Sequence, residues 1–391
     1  MLGLLLARQG IDVTVIEKHA DFLHDFRGDD IAAATLEILD EVGLADGFLA
    51  RNPKRVRLVR AHTSFGSMTV ADLSTVRSKF PYVAVIPQWD LLHLLTSEAK
   101  RFPNFKLLRE TPAVDLVVDD GVVVGVRHAA GTILAGLTVA ADGRGSLLRE
   151  KSGLPLIDTA PPIDLLIFRL PRLDDDAEDD AINIHLGNGW AMARLERGSY
   201  WQAACVIPKG AADEVRARGI ASFRDVVGRV MPDLGPHVGT LDGWEQVHLL
   251  SVRTDRLRRW HRPGLLFIGD SAHAMSPIGG TGVNFAIQDA VVAANRLVEP
   301  LRRGVVRESD LVAIQRSRAW QVIAMQSLQR RLMRGYLAGA RDTRGLRALG
   351  QRMAPTLLNL PGFTAVRSRL TAIGFRRVHV APDLRGPRSH S

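Results

Sequence analysis

Short apolar runs alternate with amphipathic stretches along the first part of the chain. Residues 2–10 have the pattern of the last turns of a helix closed by Gly10, whose missing side chain suits a left-handed C-terminal cap. The mostly β-branched run 11–16 follows and is typical of a strand buried on both faces. Glu17 comes directly after it. The order of helix, cap, buried strand and acid predicts the second half of a βαβ unit.

Helical and strand patterns continue through the next hundred residues. A helix is predicted over 31–49, and another begins at Pro87-Gln-Trp-Asp90. Short, half-buried strands are predicted between them, over 54–86. A strand pair is predicted around the turn Asp119-Asp-Gly121, because the Asp-Gly dipeptide favours the tight turns that join antiparallel strands.

The pattern changes in the middle of the chain and then returns. Between about 160 and 255 the residues alternate as in antiparallel sheet, broken by glycine-containing turns. Buried strands on either side of this region are predicted at 137–141 and 265–270, and a long helix is predicted from about 281 to 301. The order of elements therefore predicts an α/β domain into which a domain of antiparallel sheet is inserted.

Composition and charge exclude several classes of protein. Hydrophobic residues make up 46% of the 391 positions, which is typical of a globular protein rather than a disordered or fibrous one. The formal net charge is +9, but residues 296–391 carry 19 arginines, no lysine and 5 acidic residues. Few aromatic residues accompany these arginines. The tail therefore favours amphipathic helices with solvated arginines over a nucleic-acid interface, and a homodimer face on it stays an open alternative.

Cys205, an apolar run and an acidic run indicate where the protein is located and whether it binds a metal ion. Cys205 cannot form an internal disulfide and is expected to be a small buried hydrophobic residue, which favours a reducing, cytoplasmic location. The apolar run 1–7 is too short for a signal peptide or a transmembrane segment. The acidic run 174–180 lacks the alternating ligands of a calcium loop, so a solvated loop and no metal site are expected.

Two strand ends carry candidate ligand-binding residues. Glu17 lies where a carboxylate can accept hydrogen bonds from a ribose hydroxyl, although alone it is weak evidence. The turn Asp142-Gly143-Arg144 follows a buried strand, and its glycine permits a close approach to a ligand while Arg144 can meet negative charge. Taken alone, such a turn is more often an ordinary β-turn with a surface arginine.

A third segment, residues 264–289, is the most specific. A buried strand leads to Asp270, and a loop with Pro277 and three glycines then precedes the long helix. The amino end of a helix favours negative charge, which a flavin ring gains at N1 and C2=O on reduction. His273 has no second ligand at metal-binding spacing, so a structural hydrogen-bonding role is expected for it.

In this order and near these separations, the three segments resemble the class A flavoprotein monooxygenases, the family that contains para-hydroxybenzoate hydroxylase and the ubiquinone-pathway hydroxylases. The resemblance covers roughly residues 1–330, and the run from Gly-Asp-Ser-Ala-His to Gly-Val-Asn is its most specific part. It implies an α/β, Rossmann-like FAD-binding domain at 1–60, 86–158 and 256–300, an antiparallel-sheet substrate domain at 61–85 and 159–255, and an Arg-rich helical region at 301–391.

The resemblance also implies cofactors and site residues. FAD would be reduced by NAD(P)H and would react with O2 to a flavin C4a-hydroperoxide, which hydroxylates an aromatic or other electron-rich small molecule. The turn at Asp142 would help to bind the nicotinamide as well. No catalytic residue is predicted, because the family's substrate-activating residues vary. The residues expected to bind FAD are Glu17, Arg27, Gln88, Asp142, Gly143, Arg144, Asp270, Pro277, Gly279, Gly280, Gly282, Val283 and Asn284.

The family's first strand and its Gly-x-Gly-x-x-Gly turn, whose N–H groups hold the pyrophosphate, do not occur in this sequence. They are expected to belong upstream of Met1, with a start codon placed too far downstream favoured over a decayed gene. The chain beginning at Met1 is then expected to be insoluble or to be isolated without flavin. Two other classes stay open: a non-oxygenase flavoprotein reductase or dehydrogenase of the same fold, and a truncated, inactive protein with this fold.

Overall fold

The computed structural model describes residues 1–22, 30–159, 161–187, 189–339 and 361–385. Its helices are α1 (Leu2–Arg8), α2 (Ala33–Glu41), α3 (Ala45–Leu49), α4 (Gln88–Ala99), α5 (Leu147–Ser152), α6 (Ala212–Ala217), α7 (Ile220–Val230), α8 (Thr281–Arg302), α9 (Glu308–Gly339) and α10 (Pro361–Ile373). Its strands are β1 (Val13–Ile16), β2 (Asp30–Ile31), β3 (Lys54–Val56), β4 (Leu58–Thr63), β5 (Gly66–Asp72), β6 (Val83–Val85), β7 (Phe105–Leu108), β8 (Ala113–Asp119), β9 (Val122–His128), β10 (Gly131–Leu134), β11 (Thr138–Ala140), β12 (Leu156–Asp158), β13 (Ile163–Pro171), β14 (Ala181–Gly187), β15 (Trp190–Glu196), β16 (Tyr200–Pro208), β17 (His248–Leu250), β18 (Asp255–Leu257), β19 (His261–Arg262) and β20 (Leu265–Phe267).

Two parallel strand pairs form the base of the α/β part. β1 pairs with β7, and β11 pairs with β20. Among the described strands, none pairs with the second edge of β1 or of β11. Helices α1, α4 and α8 share one apolar core, to which they contribute Leu5, Leu91 and Val291. The predicted α/β class is confirmed, with the parallel strands present as two separate pairs.

Two glycines determine how α1 meets β1. A Cβ on Gly3 would lie 3.0 Å from Phe105 Cε2 and 3.4 Å from Val15 Cγ2, so a side chain there would have to displace the phenyl ring. Gly10 has a φ of 76° and turns the chain after the helix. The predicted cap is confirmed, and β1 ends just before Glu17.

The region of alternating residues joins β4 and β5 in a seven-stranded sheet in the order β17, β13, β16, β15, β14, β4, β5. The expected antiparallel pairing holds except between β14 and β4, which run parallel. One face packs on α7 and a 3₁₀ helix, Pro232–Thr240, around Phe168 and Trp201. Cys205 lies in the same core, where burial raises the pKa of its thiol, as expected of a buried hydrophobic residue. On the second face, Leu165 packs with Ile278 and with Met333 of α9, so this face is turned towards the α/β part. The proposed division into domains stays a prediction.

Two expectations about local structure are wrong in part. The predicted helix over 31–49 is two helices, because Gly43 adopts a φ of 76° between α2 and α3. The acidic run 174–180 is more than a solvated loop, since Asp176 accepts a hydrogen bond of 2.8 Å from Trp201 Nε1 and Asp179 pairs with Arg194 at 3.1 Å. The part of the chain that is described holds no group of three His, Cys, Asp or Glu side chains placed to bind a metal ion.

The C-terminal helices pack against the rest of the molecule. α9 runs along α8 and reaches β14 and β15, while α10 packs on β5. The expectation of solvated arginines is wrong for Arg318 of α9, which has 0% exposure. Over the described ranges, every helix is too short or too polar to cross a bilayer.

Candidate functional site

Segments that are distant in sequence meet at the carboxyl ends of β11 and β20. β11 leads into the turn that contains Arg144, and β20 leads into a short 3₁₀ turn, Gly269–Ser271. Arg144 Nε donates to Asp270 Oδ2 at 2.9 Å, and its Nη2 donates to Met275 O at 3.1 Å. This ion pair joins the turn after β11 to the loop after β20, which are the two segments that the sequence assigned to one ligand.

Asp142 shapes the turn that presents Arg144. Its carboxylate accepts hydrogen bonds from Ser146 Oγ at 2.5 Å and from Leu148 N at 3.3 Å. Gly143 has a φ of 80°, which suits a residue without a side chain. The hydrogen bonds of the Asp142 carboxylate are therefore made within the turn and at the start of α5.

The loop before α8 ends in two consecutive glycines. Gly280 N donates to Pro277 O at 3.1 Å, and Gly279 and Gly280 have φ values of 84° and 57°. A Cβ on Gly280 would lie 2.3 Å from Asp30 Oδ2, which no real structure tolerates. A Cβ on Gly282 would point to within 3.8 Å of Asp270 Oδ1. Gly282 at the start of α8 therefore lies next to the Asp270 carboxylate without a side chain between them.

The amino end of α8 faces this loop without a capping side chain. Its N-cap is Gly280, which has no side chain to accept a capping hydrogen bond, and its first turn holds no acidic residue. The Asp30 carboxylate lies against Gly280. The helix end contributes backbone N–H groups and a partial positive charge to this loop.

Asn284 and Val283 serve the packing of α8. Asn284 Nδ2 donates to Asp30 O at 2.8 Å and to Gly280 O at 2.7 Å. Its Oδ1 accepts from Ala32 N at 2.9 Å and from Thr35 Oγ1 at 2.7 Å. Val283 packs against the core of α1 and α4. Contacts of residues 283 and 284 with a ligand are therefore left to the backbone.

A buried charge network lies behind the loop. Asp289 Oδ1 accepts from Arg318 Nε at 2.7 Å, and its Oδ2 accepts from His273 Nε2 at 2.6 Å and from Gly269 N at 3.0 Å. Asp289 and Arg318 each have 0% exposure. Burial by itself raises the pKa of Asp289, but His273 and Arg318 outweigh it and lower the pKa to about 2. His273 thus has the structural role expected of it, and the network holds the residue before Asp270.

The other predicted contacts lie elsewhere. Glu17 follows β1, and its Oε1 accepts from His19 N at 3.0 Å. Gln88 begins α4. Arg27 lies outside the described residues. Within the described part of the chain, neither Glu17 nor Gln88 bonds directly to the loop around Asp270, so their link to that site stays a prediction.

Sequence reasoning missed the roles of Asp289 and of α9. Asp289 ends the most specific motif but has no local feature that separates it from a surface acid. Arg318 lies in an arginine-rich helix, where a buried arginine and a solvated one look alike in the sequence. Only the packing of α9 on α8 identifies them as partners.

The site has the features that a flavin dinucleotide requires. Asp270, whose side chain keeps 27% exposure, can accept hydrogen bonds from ribityl hydroxyls. The uncapped end of α8 can stabilise the negative charge of a reduced isoalloxazine. Gly282 carries no side chain beside either of them. The residues present therefore fit the flavin and ribityl part of FAD.

Comparison with known proteins points the same way. Residues 1–326 match the model of a family described as an FAD binding domain. The chain is 29% identical to the 6-methylpretetramide 4-monooxygenase of Streptomyces rimosus over 98% of its own length and 91% of that protein. It is 25% identical to the ubiquinone hydroxylase UbiL of Rhodospirillum rubrum over 78% of this chain and 71% of that one.

Solved structures share the fold. PqsL of Pseudomonas aeruginosa in complex with 2-aminobenzoylacetate superposes with a TM-score of 0.76 at 21% identity, covering 87% of this chain and 94% of that one. The p-nitrophenol 4-monooxygenase PnpA of Pseudomonas putida gives a TM-score of 0.77 at 17% identity, covering 96% and 95%. At these identities the likeness shows the fold alone.

We expect Asp289→Asn to lower the free energy of unfolding by about 3–5 kcal/mol at pH 7, because it leaves the buried Arg318 without its counter-charge. The pKa of this carboxyl is about 2 in the folded chain, against ~3.9 in an unfolded one. The stability contributed by the ionised carboxylate is thus full above the unfolded pKa and is lost as the pH falls towards 2.

Urea unfolding of parent and variant between pH 7 and pH 2 measures both effects. As a control, Asp213→Asn alters a 96% exposed carboxylate and should change stability by less than about 0.5 kcal/mol. A variant of Asp289 that is as stable as the parent at pH 7, or a difference that widens in acid, would contradict this account.

Proposed function

The chain belongs to the FAD binding domain family, whose model matches residues 1–326, and on this premise we propose that it uses NAD(P)H and O2 to hydroxylate an aromatic or other electron-rich small molecule. It is an FAD-dependent monooxygenase by family, since its relatives are named monooxygenases and hydroxylases. The observation that carries the proposal is the Asp270 carboxylate lying beside the start of α8, where Gly280 and Gly282 carry no side chains.

The flavin half of FAD is proposed to lie along the loop before α8. Asp270 accepts from a ribityl hydroxyl, while Arg144 keeps its carboxylate oriented. The backbone from Pro277 to Gly282 lies against the ring, and the amino end of α8 stabilises the charge that the ring gains on reduction. When bound, FAD supplies the redox chemistry that passes electrons from the nicotinamide to O2.

The adenosine half is proposed to lie along the end of β1. Glu17 stands at the carboxyl end of this strand, where a ribose hydroxyl can bond to it. Gln88, at the start of α4, is proposed to contact the ribityl or phosphate region, and Arg27 is proposed to lie beside the FAD. Asp142 and Gly143 contribute through the turn that they shape.

The substrate is proposed to bind on the second face of the seven-stranded sheet. Ile184, Ala193, Ala204 and Ile167 are direct partners across four neighbouring strands and form one row on this face. All four are half-buried. Because the two alanines in the middle of the row are smaller than the isoleucines at its ends, the row forms a depression. A flat, apolar ring fits such a depression better than a branched or charged molecule does.

This row lies beside the loop proposed to hold the flavin. Leu165 and Val206, partners in the neighbouring row, pack with Ile278 of the loop and with Met333 of α9. A substrate in the depression would therefore be enclosed by sheet, loop and helix. Enclosure matters for oxygen transfer, because water in the site diverts the activated oxygen to hydrogen peroxide.

We expect the FAD-loaded protein to oxidise NADH or NADPH and consume O2 faster when a phenol or fused-ring aromatic is added. One atom of labelled O2 should appear in the organic product. The measurement combines an oxygen electrode with mass spectrometry of the product. Nicotinamide oxidation without label in any product would favour a flavoprotein reductase or dehydrogenase and would refute the proposal.

We expect Asp270→Ala to weaken FAD binding by about 10–100-fold, because it removes a charged acceptor and leaves Arg144 without its partner. Titration of the protein with FAD, followed by flavin fluorescence, gives the dissociation constant. Asp213→Ala, which removes an exposed carboxylate far from the proposed contacts, serves as the control. Equal affinity in parent and Asp270→Ala would exclude this carboxylate from the cofactor site.

We expect Ala204→Phe to lower kcat/KM for the aromatic substrate by about 100-fold, because the phenyl ring fills the depression and displaces the substrate. FAD affinity should stay unchanged. Ala204→Ser nearly conserves volume and should keep most of the activity. Steady-state rates and FAD titrations of both variants test this, and a fully active Ala204→Phe would place the substrate elsewhere.

A further inference from the structure

The inward face of α9 carries buried polar residues among its buried apolar ones. Gln315, Arg318, Gln326 and Gln329 recur at spacings that place them on one face of the helix. Arg318, Gln326 and Gln329 are buried. None of these residues belongs to the segments that the sequence marked for cofactor binding, and the proposed function does not use them.

Two glutamines of this face, Gln326 and Gln329, bond to backbone groups on or near the loop 276–281, called here the flavin loop. Gln326 Nε2 donates to Asp255 O at 2.9 Å and to Ala274 O at 3.1 Å. Gln329 is placed further along, and its Nε2 lies 3.3 Å from Ser276 O and 2.8 Å from Ile278 O. α9 therefore holds the loop at several successive points.

Gln329 also reaches the start of α8. Its Nε2 lies 3.0 Å from Thr281 Oγ1, so one amide group contacts both ends of the segment 276–281. This segment contains Pro277, Gly279 and Gly280, which are proposed to lie against the flavin ring. Its two consecutive left-handed glycines have little conformational preference of their own. An outside contact is therefore needed to select one path for the backbone.

The orientation of the Gln329 amide is determined by its partners. Two backbone carbonyls can only accept, so the nitrogen must face them and Oε1 must point the other way. Oε1 is buried and, among the described residues, has no hydrogen-bond partner. A buried, unpaired acceptor costs stability, which a methionine of similar size would avoid. What the glutamine contributes beyond a methionine is therefore its N–H donors rather than its packing.

We propose that Gln329 is a positioning residue that sets the path of the loop 276–281 and, through it, the shape of the flavin site. The consequence for FAD rests on the proposed function, whereas the effect on the loop does not. A residue that only filled the core would stabilise the fold without favouring one conformation of this loop.

The test compares Gln329→Met with Gln321→Met. Gln321 lies on the same helix and is also buried, but its amide bonds to Ser317 O within α9. Hydrogen–deuterium exchange of the purified protein reports on the loop, and thermal unfolding without FAD reports on the fold. Titration with FAD and the absorption spectrum of the bound flavin report on the site.

In Gln329→Met we expect amides of peptides covering 276–282 to exchange about tenfold faster, and FAD to bind about tenfold more weakly with a shifted flavin absorption band. Gln321→Met should match the parent in both, even if the two variants unfold at similar temperatures. Unchanged exchange in the loop of Gln329→Met would overturn the inference. Faster exchange with unchanged FAD affinity and spectrum would overturn its consequence for the cofactor, and a parent that binds no FAD would instead overturn the proposed function.

Discussion

A carboxylate without access to water must be neutralised inside the protein, and the architecture around the site depends on how Asp289 meets this constraint. Arg318 supplies the charge from α9, His273 supplies a hydrogen bond from the loop after β20, and Gly269 N completes the set. Arg318 lies in α9, His273 and Gly269 lie in the loop after β20, and Asp289 itself lies in α8, so α8, α9 and the loop cannot shift independently without exposing or unpairing a buried charge. The loop that carries Asp270 is in this way tied to the core.

The site itself is formed largely by backbone and by the absence of side chains. Gly280 leaves room for Asp30, and Gly282 leaves room beside Asp270. Such a surface suits a flat ligand that is bound through N–H groups and a helix end, but it gives the loop little rigidity of its own. Rigidity comes from the flanking helices: Asn284 joins the start of α8 to residues 30–35, and Gln329 of α9 holds the other side.

The seven-stranded sheet shows how one element can serve two purposes. The face that packs on α7 contributes to a closed core around Phe168 and Trp201. The second face carries half-buried aliphatic residues that no other part of the described chain fully covers. The alternation of side chains along each strand separates the two faces. A stable scaffold and an apolar binding surface can therefore occupy the same strands.

Local features were predictable from the sequence because they depend on neighbouring residues. The cap at Gly10, the hairpin in which Asp120 and Gly121 both have positive φ, the long helix α8 and the strands of the large sheet follow from backbone preferences and periodicity. The acids at strand ends and the glycine loop were also recognisable. By contrast, only the tertiary structure decided which distant groups meet. It shows that Arg318 is buried, that the Asn284 side chain bonds to the backbone of Asp30, and that Gln329 of α9 bonds to the loop 276–281. Burial and pairing depend on which segments meet in space, and an arginine or glutamine in a helix carries no local record of that meeting.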